Sequence, residues 1–191
     1  MSHEIAKASD AVAGGLIAGT RHTETANATG RFRLECYDKD GLLKWSAESQ
    51  NLVVNVGLQY MAGSALAGAT QITTWYVGLY GAGASNTPAA TDTMSSHIGW
   101  TEVTPYAGSR PTATFASATN ANPSVVTNSA SPASFSINAT QTVGGAFLTS
   151  NNTAGGTTGT LFSAADFQSP GDRSVVSGDT LNVTYTFSLA G

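Results

Sequence analysis

From Leu181 to Leu189 every second residue is apolar: Leu181, Val183, Tyr185, Phe187 and Leu189 share one face, while Asn182, Thr184, Thr186 and Ser188 share the other. Side chains alternate across a pleated strand, so this period of two predicts a strand with one buried face. Its register is well specified, because a slip of one residue would expose all the apolar side chains at once. The same alternation runs from Arg31 to Tyr37, with Phe32, Leu34 and Cys36 against Arg31, Arg33, Glu35 and Tyr37. Asp38-Lys39-Asp40-Gly41 supplies turn residues, and Leu43, Trp45 and Ala47 resume the pattern, which predicts a β-hairpin.

A period near 3.6 occurs once. Leu52, Val56, Tyr60 and Gly63, with Val53 and Met61 beside them, predict a helix from Asn51 to about Leu66, with Asn51 as its N-cap. Gly57 and Gly63 weaken it by roughly 1 kcal/mol each relative to Ala, so it is expected to rely on packing against a sheet. After Gln71 the chain reads as short strands separated by Gly, Pro, Asn and Ser clusters: Ile72 to Tyr80, Trp100 to Thr104, Thr112 to Ser117, Ala133 to Asn138, Thr142 to Thr149 and Gly159 to Ser163. Gly81 to Ala90 and Ala118 to Ser131 read as surface loops. These elements predict an all-β protein with one short helix, an antiparallel β-sandwich of jelly-roll or Greek-key type, with a closed barrel as the second choice.

Residues 1–30 carry no sustained period, and Ile5, Leu16 and Ile17 are the large apolar residues there. This segment reads as an extended N-terminal arm preceding a single sandwich domain, residues 31–191. By itself it could not bury enough apolar surface to offset its ordering entropy. Ile5, Leu16, Ile17 and Arg21 are its candidate partner-binding residues.

Charge sharpens the division. Of twenty charged side chains, thirteen lie between Met1 and Glu48, and the remaining 143 residues carry only Asp92, Glu102, Arg110, Asp166, Asp172, Arg173 and Asp179. The charged fraction is 10%, against roughly 25% in ordinary soluble proteins. Hydroxyls and amides must therefore cover the surface, which suits packing against copies of the chain or a large partner. A net charge of −4 opposes nucleic-acid binding, which needs Lys and Arg to displace counterions from phosphates. Cys36 is the only cysteine, which excludes an intrachain disulfide and a thiolate metal site. It reads as a small buried hydrophobe. The first residues lack a basic region followed by a long apolar run, so neither a signal peptide nor a membrane span is expected, and the product is expected to be made in the cytoplasm.

Candidate chemistry is sparse. Asp92, Ser95, Ser96 and His97 hold the residue types of a hydrolase triad within six positions, but triads assemble from separate elements and no Gly-x-Ser-x-Gly elbow occurs. A turn in which Asp92 or Ser95 makes local hydrogen bonds is expected instead. Asp166, Asp172 and Asp179 could converge on a calcium ion, yet no spaced ligand loop supports this and they read as solvated turn acids. Arg173 is expected to pair with Asp172 on the surface. Gly155-Gly156-Thr157-Thr158-Gly159 lacks the Lys of a phosphate-binding loop and reads as a flexible turn. No catalytic residue, metal or cofactor is assigned. Trp75, Tyr76, Tyr80, Trp100, Tyr106 and Phe115 cluster in the middle third; Trp75 alternates with Val77 and Leu79 as core residues do, and Tyr76 and Tyr80 fall on the opposite face as a candidate aromatic surface.

Several strings carry a family resemblance: Asn51-Leu52-Val53-Val54-Asn55-Val56-Gly57-Leu58, Trp75-Tyr76-Val77-Gly78-Leu79-Tyr80, His97 with Trp100-Thr101-Glu102-Val103, and Arg110-Pro111. So do Gly144-Gly145-Ala146-Phe147-Leu148, Gly159-Thr160-Leu161-Phe162-Ser163 and Gly178-Asp179-Thr180-Leu181-Asn182-Val183-Thr184-Tyr185. Together they resemble small virion structural proteins of tailed bacteriophages, from about residue 31 onward. The resemblance implies a non-enzymatic capsid decoration or cement protein on the outer surface of the head, with the major capsid protein and copies of itself, as a homodimer or homotrimer, for partners. The other reading is a tail or fibre protein that binds a host receptor or glycan through Tyr76 and Tyr80.

Overall fold

The computed structural model describes residues 25–81, 87–167 and 171–191. Ile5, Leu16, Ile17 and Arg21 lie outside them. The predicted hairpin forms from β1 (Asn27–Tyr37) and β2 (Leu43–Gln50), in a register that sets Arg31 opposite Gln50 and Cys36 opposite Trp45. Asp38 Oδ1 accepts the backbone N–H groups of Asp40 and Leu42, both at 2.9 Å, and Gly41 takes the positive φ of 80° that closes the turn. The strand begins at Asn27 rather than after residue 30, because the C-terminal strand reaches far enough to pair Asn27 with Ala190.

That strand, β12 (Thr180–Ala190), lies between β1 on one side and two short strands, β7 (Ser124–Thr127) and β8 (Ala133–Ser136), on the other. These make a five-stranded antiparallel sheet. The second sheet has seven strands, again antiparallel. Its main path runs β3 (Leu52–Val53), β10 (Leu161–Asp166), β9 (Gln141–Thr149), β4 (Trp75–Gly81) and β5 (Glu102–Val103). β11 (Arg173–Val175) also pairs with β9, and β6 (Thr112–Ala113) with β4. The two sheets face each other as a sandwich across a core that includes Phe32, Leu34 and Cys36 from β1, Leu181, Val183 and Tyr185 from β12, and Val77, Leu79 and Leu148 from the second sheet. The alternation in both terminal strands thus does what its period implies.

Two segments differ from expectation. Residues 118–131 are not all loop: they contain β7, and β7 and β8 line up along β12 as one interrupted strand. Asn128, fully buried, spans the interruption. Its Oδ1 accepts Tyr185 N–H at 2.6 Å and its Nδ2 donates to Val183 O at 3.2 Å, so a side-chain amide takes the place of a missing backbone partner. β11 is likewise unanticipated, its three residues being too few to show a period.

The helix α1 spans Asn55–Leu66, and Asn51 is not its N-cap; Val54 holds that position without a side-chain hydrogen bond. Asn51 sits instead at the corner where the chain passes from β2 into β3. Its N–H donates to Gly30 O at 2.9 Å and its Nδ2 to Tyr185 Oη at 2.8 Å, which ties the two sheets together. Gly57 has a packing reason: a Cβ there would lie 2.3 Å from Phe162 O, so only glycine lets the helix sit this close to β10. Beside α1, Val54, Tyr80, Met94, Trp100, Phe147, Leu161 and Ala164 form a smaller core on the outer face of the second sheet.

This second core corrects the aromatic surface. Tyr80 is fully buried, with its ring 5.2 Å from that of Trp100. β4 is a central strand covered on both faces, and Gly78 and Gly145 leave room for the rings of Phe147 and Tyr80 where any Cβ would clash at 2.1 and 2.0 Å. Tyr76 is half-buried. The two tyrosines do not form an exposed platform.

Candidate functional site

The groups singled out for chemistry are drawn into structural contacts. Asp92 is buried, and its Oδ2 accepts Ala89 N–H and Trp100 Nε1–H, both at 2.9 Å. The His97 ring stacks on Trp100 with centroids 3.9 Å apart, and its Nδ1 lies 2.8 Å from Trp100 O. Ser95 Oγ meets Thr93 Oγ1 at 3.1 Å. The cluster builds a turn that lowers Trp100 onto Phe147 and Tyr80; within it the carboxylate engages an indole and a backbone N–H, while the imidazole faces a carbonyl.

Of the three turn acids, Asp166 and Asp172 come near each other. Burial first, and the Asp172 charge second, raise the Asp166 pKa above the ordinary carboxylate range. Asp179 is elsewhere: its carboxylate accepts Lys44 Nζ at 2.5 Å, Val176 N–H at 2.9 Å and the Cys36 thiol at 3.6 Å. Burial opposes its charge, but Lys44 and the Val176 N–H outweigh burial and hold its pKa below the usual value. The Cys36 thiol is pushed up to about 12 by burial and by Asp179, so at neutral pH it is a thiol and a poor nucleophile. Among the described residues no three His, Cys, Asp or Glu side chains gather where they could hold a metal ion. Arg173 does not pair with Asp172; its Nε is buried without a hydrogen-bond partner.

One arrangement had no forecast. Arg110 is 2% exposed and is clamped by Glu102, with Nε to Oε1 at 2.8 Å and Nη2 to Oε2 at 2.6 Å. It also donates to Asn151 O at 2.8 Å and Gly156 O at 2.9 Å, while Glu102 Oε2 accepts Gly155 N–H at 2.8 Å. Its guanidinium lies 5.2 Å from the centre of the Phe147 ring. The predicted flexible glycine turn is therefore anchored to a buried ion pair. The signal available in the sequence was faint: an acid and a base eight residues apart in a stretch after Glu48 with only seven charges.

The surface that stands out is apolar. Along β12 the inward row passes from Leu181 and Val183, both fully buried, through Tyr185 at 1% to a half-buried Phe187 and to Leu189 at 40% exposure. The sandwich opens toward this end into a cleft of about 130 Å³. Phe187 and Val126 line it from the first sheet, Trp75, Leu148 and Phe162 from the second, and Tyr60 of α1 and Phe115 close its sides. The rings meet edge to face in a chain, Tyr60 to Trp75 at 5.3 Å, Trp75 to Phe162 at 5.4 Å and Phe162 to Phe187 at 5.5 Å, the geometry that aromatic quadrupoles favour. Tyr60 Oη is held by Ile72 N–H at 2.9 Å, so its hydroxyl turns away to the backbone. Such a wall is suited to burying an aliphatic or aromatic group. Sequence reading assigned Trp75 and Phe187 to a core; the partial exposure of that core at one end was not visible in it.

The outer face of the first sheet is polar and self-neutral. Arg31 pairs with Glu48 at 3.0 Å and Arg33 with Glu35 at 2.7 Å, beside Asn182, Thr184, Thr186 and Ser188. Lys39 meets Asp40 at 2.7 Å, and Lys44 meets Asp179 as above, so each basic residue of the hairpin has an acidic neighbour. No described helix is long and apolar enough to cross a membrane. Comparison with known proteins returns no match among family models, curated sequences or solved structures.

Proposed function

We propose that this chain is a non-enzymatic virion structural protein of a tailed bacteriophage, of the capsid decoration or cement type. The observation that carries the reading is the self-neutralised hairpin in an otherwise charge-poor sandwich. Its basic residues are matched by acids at 2.5 to 3.0 Å, leaving a hydroxyl- and amide-covered face with little field to attract a polyanion or steer a charged substrate. Such a face gains contact area against a large protein surface with a small charge-desolvation cost. The body docks over junctions between subunits of the major capsid protein as a homodimer or homotrimer, and the arm adds a second attachment that multiplies the affinity of the first. The sequence strings quoted above support the same assignment.

The tail or fibre reading drew on an exposed Tyr76 and Tyr80 pair, and burial of Tyr80 removes that basis. Electron microscopy of intact particles tests the proposal: many copies on the head lattice are expected, and a few copies confined to the tail would refute it. Removal of residues 1–24, which precede β1 and leave it intact, is expected to reduce occupancy on purified heads sharply. Unchanged occupancy would refute the anchoring arm while leaving the docking of the body standing.

A further inference from the structure

We infer that the aromatic cleft is the docking site of the chain's own N-terminal arm, and that Leu16 and Ile17 are the residues it takes. β1 starts at Asn27, and three residues on, Gly30 pairs with Phe187 at the cleft wall. At about 3.3 Å per residue the strand therefore starts roughly 10 Å from the cleft. Thr25 and Ala26, the residues that lead back into the arm, are exposed at the same end of the sandwich. Ile17 precedes Asn27 by ten residues, a tether that spans up to about 35 Å when extended, enough to turn back into the opening. So short a linker sustains an effective concentration on the order of millimolar, which favours the tethered segment over a separate molecule.

Size and chemistry agree with this occupant. A space of about 130 Å³ admits a branched aliphatic side chain. Leu16-Ile17 is the one adjacent pair of large aliphatic residues in the first 30 positions. The flanking residues, Ala11-Val12-Ala13-Gly14-Gly15 and Ala18-Gly19, are mostly Ala and Gly and add little bulk beside the pair. Docking would cover Phe187 and extend the burial pattern that β12 begins. The inference concerns the isolated chain; the second attachment proposed above requires that the arm leave the cleft when the body meets a head.

A nitroxide on Thr20→Cys tests it in the full-length chain, because the native Cys36 is buried and stays unlabelled in the folded protein. In dilute solution the Trp75 indole, Val126 methyl and Phe187 ring signals are expected to lose intensity by paramagnetic broadening. Adding Leu16→Asp with Ile17→Asp to the same chain is expected to restore them. Sharp cleft signals in the labelled chain would overturn the inference. So would broadening that survives the double aspartate change, since proximity would then come from the tether alone. Broadening seen only when spin-labelled chains are mixed with isotope-labelled ones would assign the cleft to a second copy and also overturn it. The substituted residues precede β1 in the sequence, and unchanged amide signals from β1 and β12 check that the fold is kept.

Discussion

Replacing Arg110 by Met should be among the most destabilising single changes in this chain. The guanidinium is 2% exposed and makes two bonds to Glu102 and one each to Asn151 O and Gly156 O. Removing one member of a buried pair costs about 3–5 kcal/mol, because the remaining charge stays out of water without its partner. Glu102, with its side chain 8% exposed, would be that charge. Replacing both partners by apolar residues is often neutral elsewhere. Here it should not be, because the pair also holds the part-buried Asn151 O and Gly156 O, besides Gly155 N at the exposed edge, and an orphaned buried group costs about 1–3 kcal/mol. Opening of the 151–156 turn to water would recover part of that. The double variant Arg110→Met with Glu102→Leu is therefore expected to be destabilised, but by less than the sum of the two single changes. Urea unfolding followed by tryptophan fluorescence measures all four species of the cycle, and the loss should persist at high salt because a buried pair is weakly screened. A cost below about 1 kcal/mol for Arg110→Met, as in an exposed pair, would refute the reasoning, and so would additivity of the two single changes.

Gly57→Ala sets two effects against each other: helix propensity favours alanine by about 1 kcal/mol, but its Cβ would lie 2.3 Å from the Phe162 carbonyl oxygen. Overpacking costs about 1–3 kcal/mol, so chemical denaturation should show a net loss, and stabilisation would mean that the helix can lift off β10 cheaply. Asn128→Ala removes the acceptor for Tyr185 N–H and the donor to Val183 O, which should cost about 1–3 kcal/mol per orphaned group and speed amide exchange at Tyr185; unchanged exchange there would refute the bridging role. Asp179 has a lowered folded-state pKa, so its contribution is present above the unfolded value of about 3.9 and is lost as pH falls through the folded one. Lys44→Met removes one cause of that lowering, and acid unfolding should begin at higher pH than in the parent chain; an unchanged acid midpoint would contradict this.

Strands with one buried face were legible along the chain because alternation is a local property. β1, β2 and β12 appear where Phe32 and Leu34, Trp45 and Ala47, and Leu181 and Val183 place them. β4 was legible only in part. Trp75, Val77 and Leu79 have the period of a one-sided strand, and nothing local to Tyr80 announces that residues 87–101 and α1 will cover its other face. Asn51 was misread for a related reason. An Asn before an apolar helical period is a plausible cap, and only the approach of Tyr185, 134 residues away in the chain, draws its amide to a different partner.

The amino-acid sequence by itself determined the class of the fold, the faces of its longest strands and the concentration of charge in the first 48 residues, since each depends on neighbours within a few positions. The tertiary structure alone decided which charges are buried, which aromatic residues are enclosed and where the core opens. Arg110 and Glu102 become a clamp, and Phe187 becomes the wall of a cleft, through contacts between elements far apart in the chain. Burial and pairing are set by what packs on top of a residue, and a periodic pattern records only which side it faces.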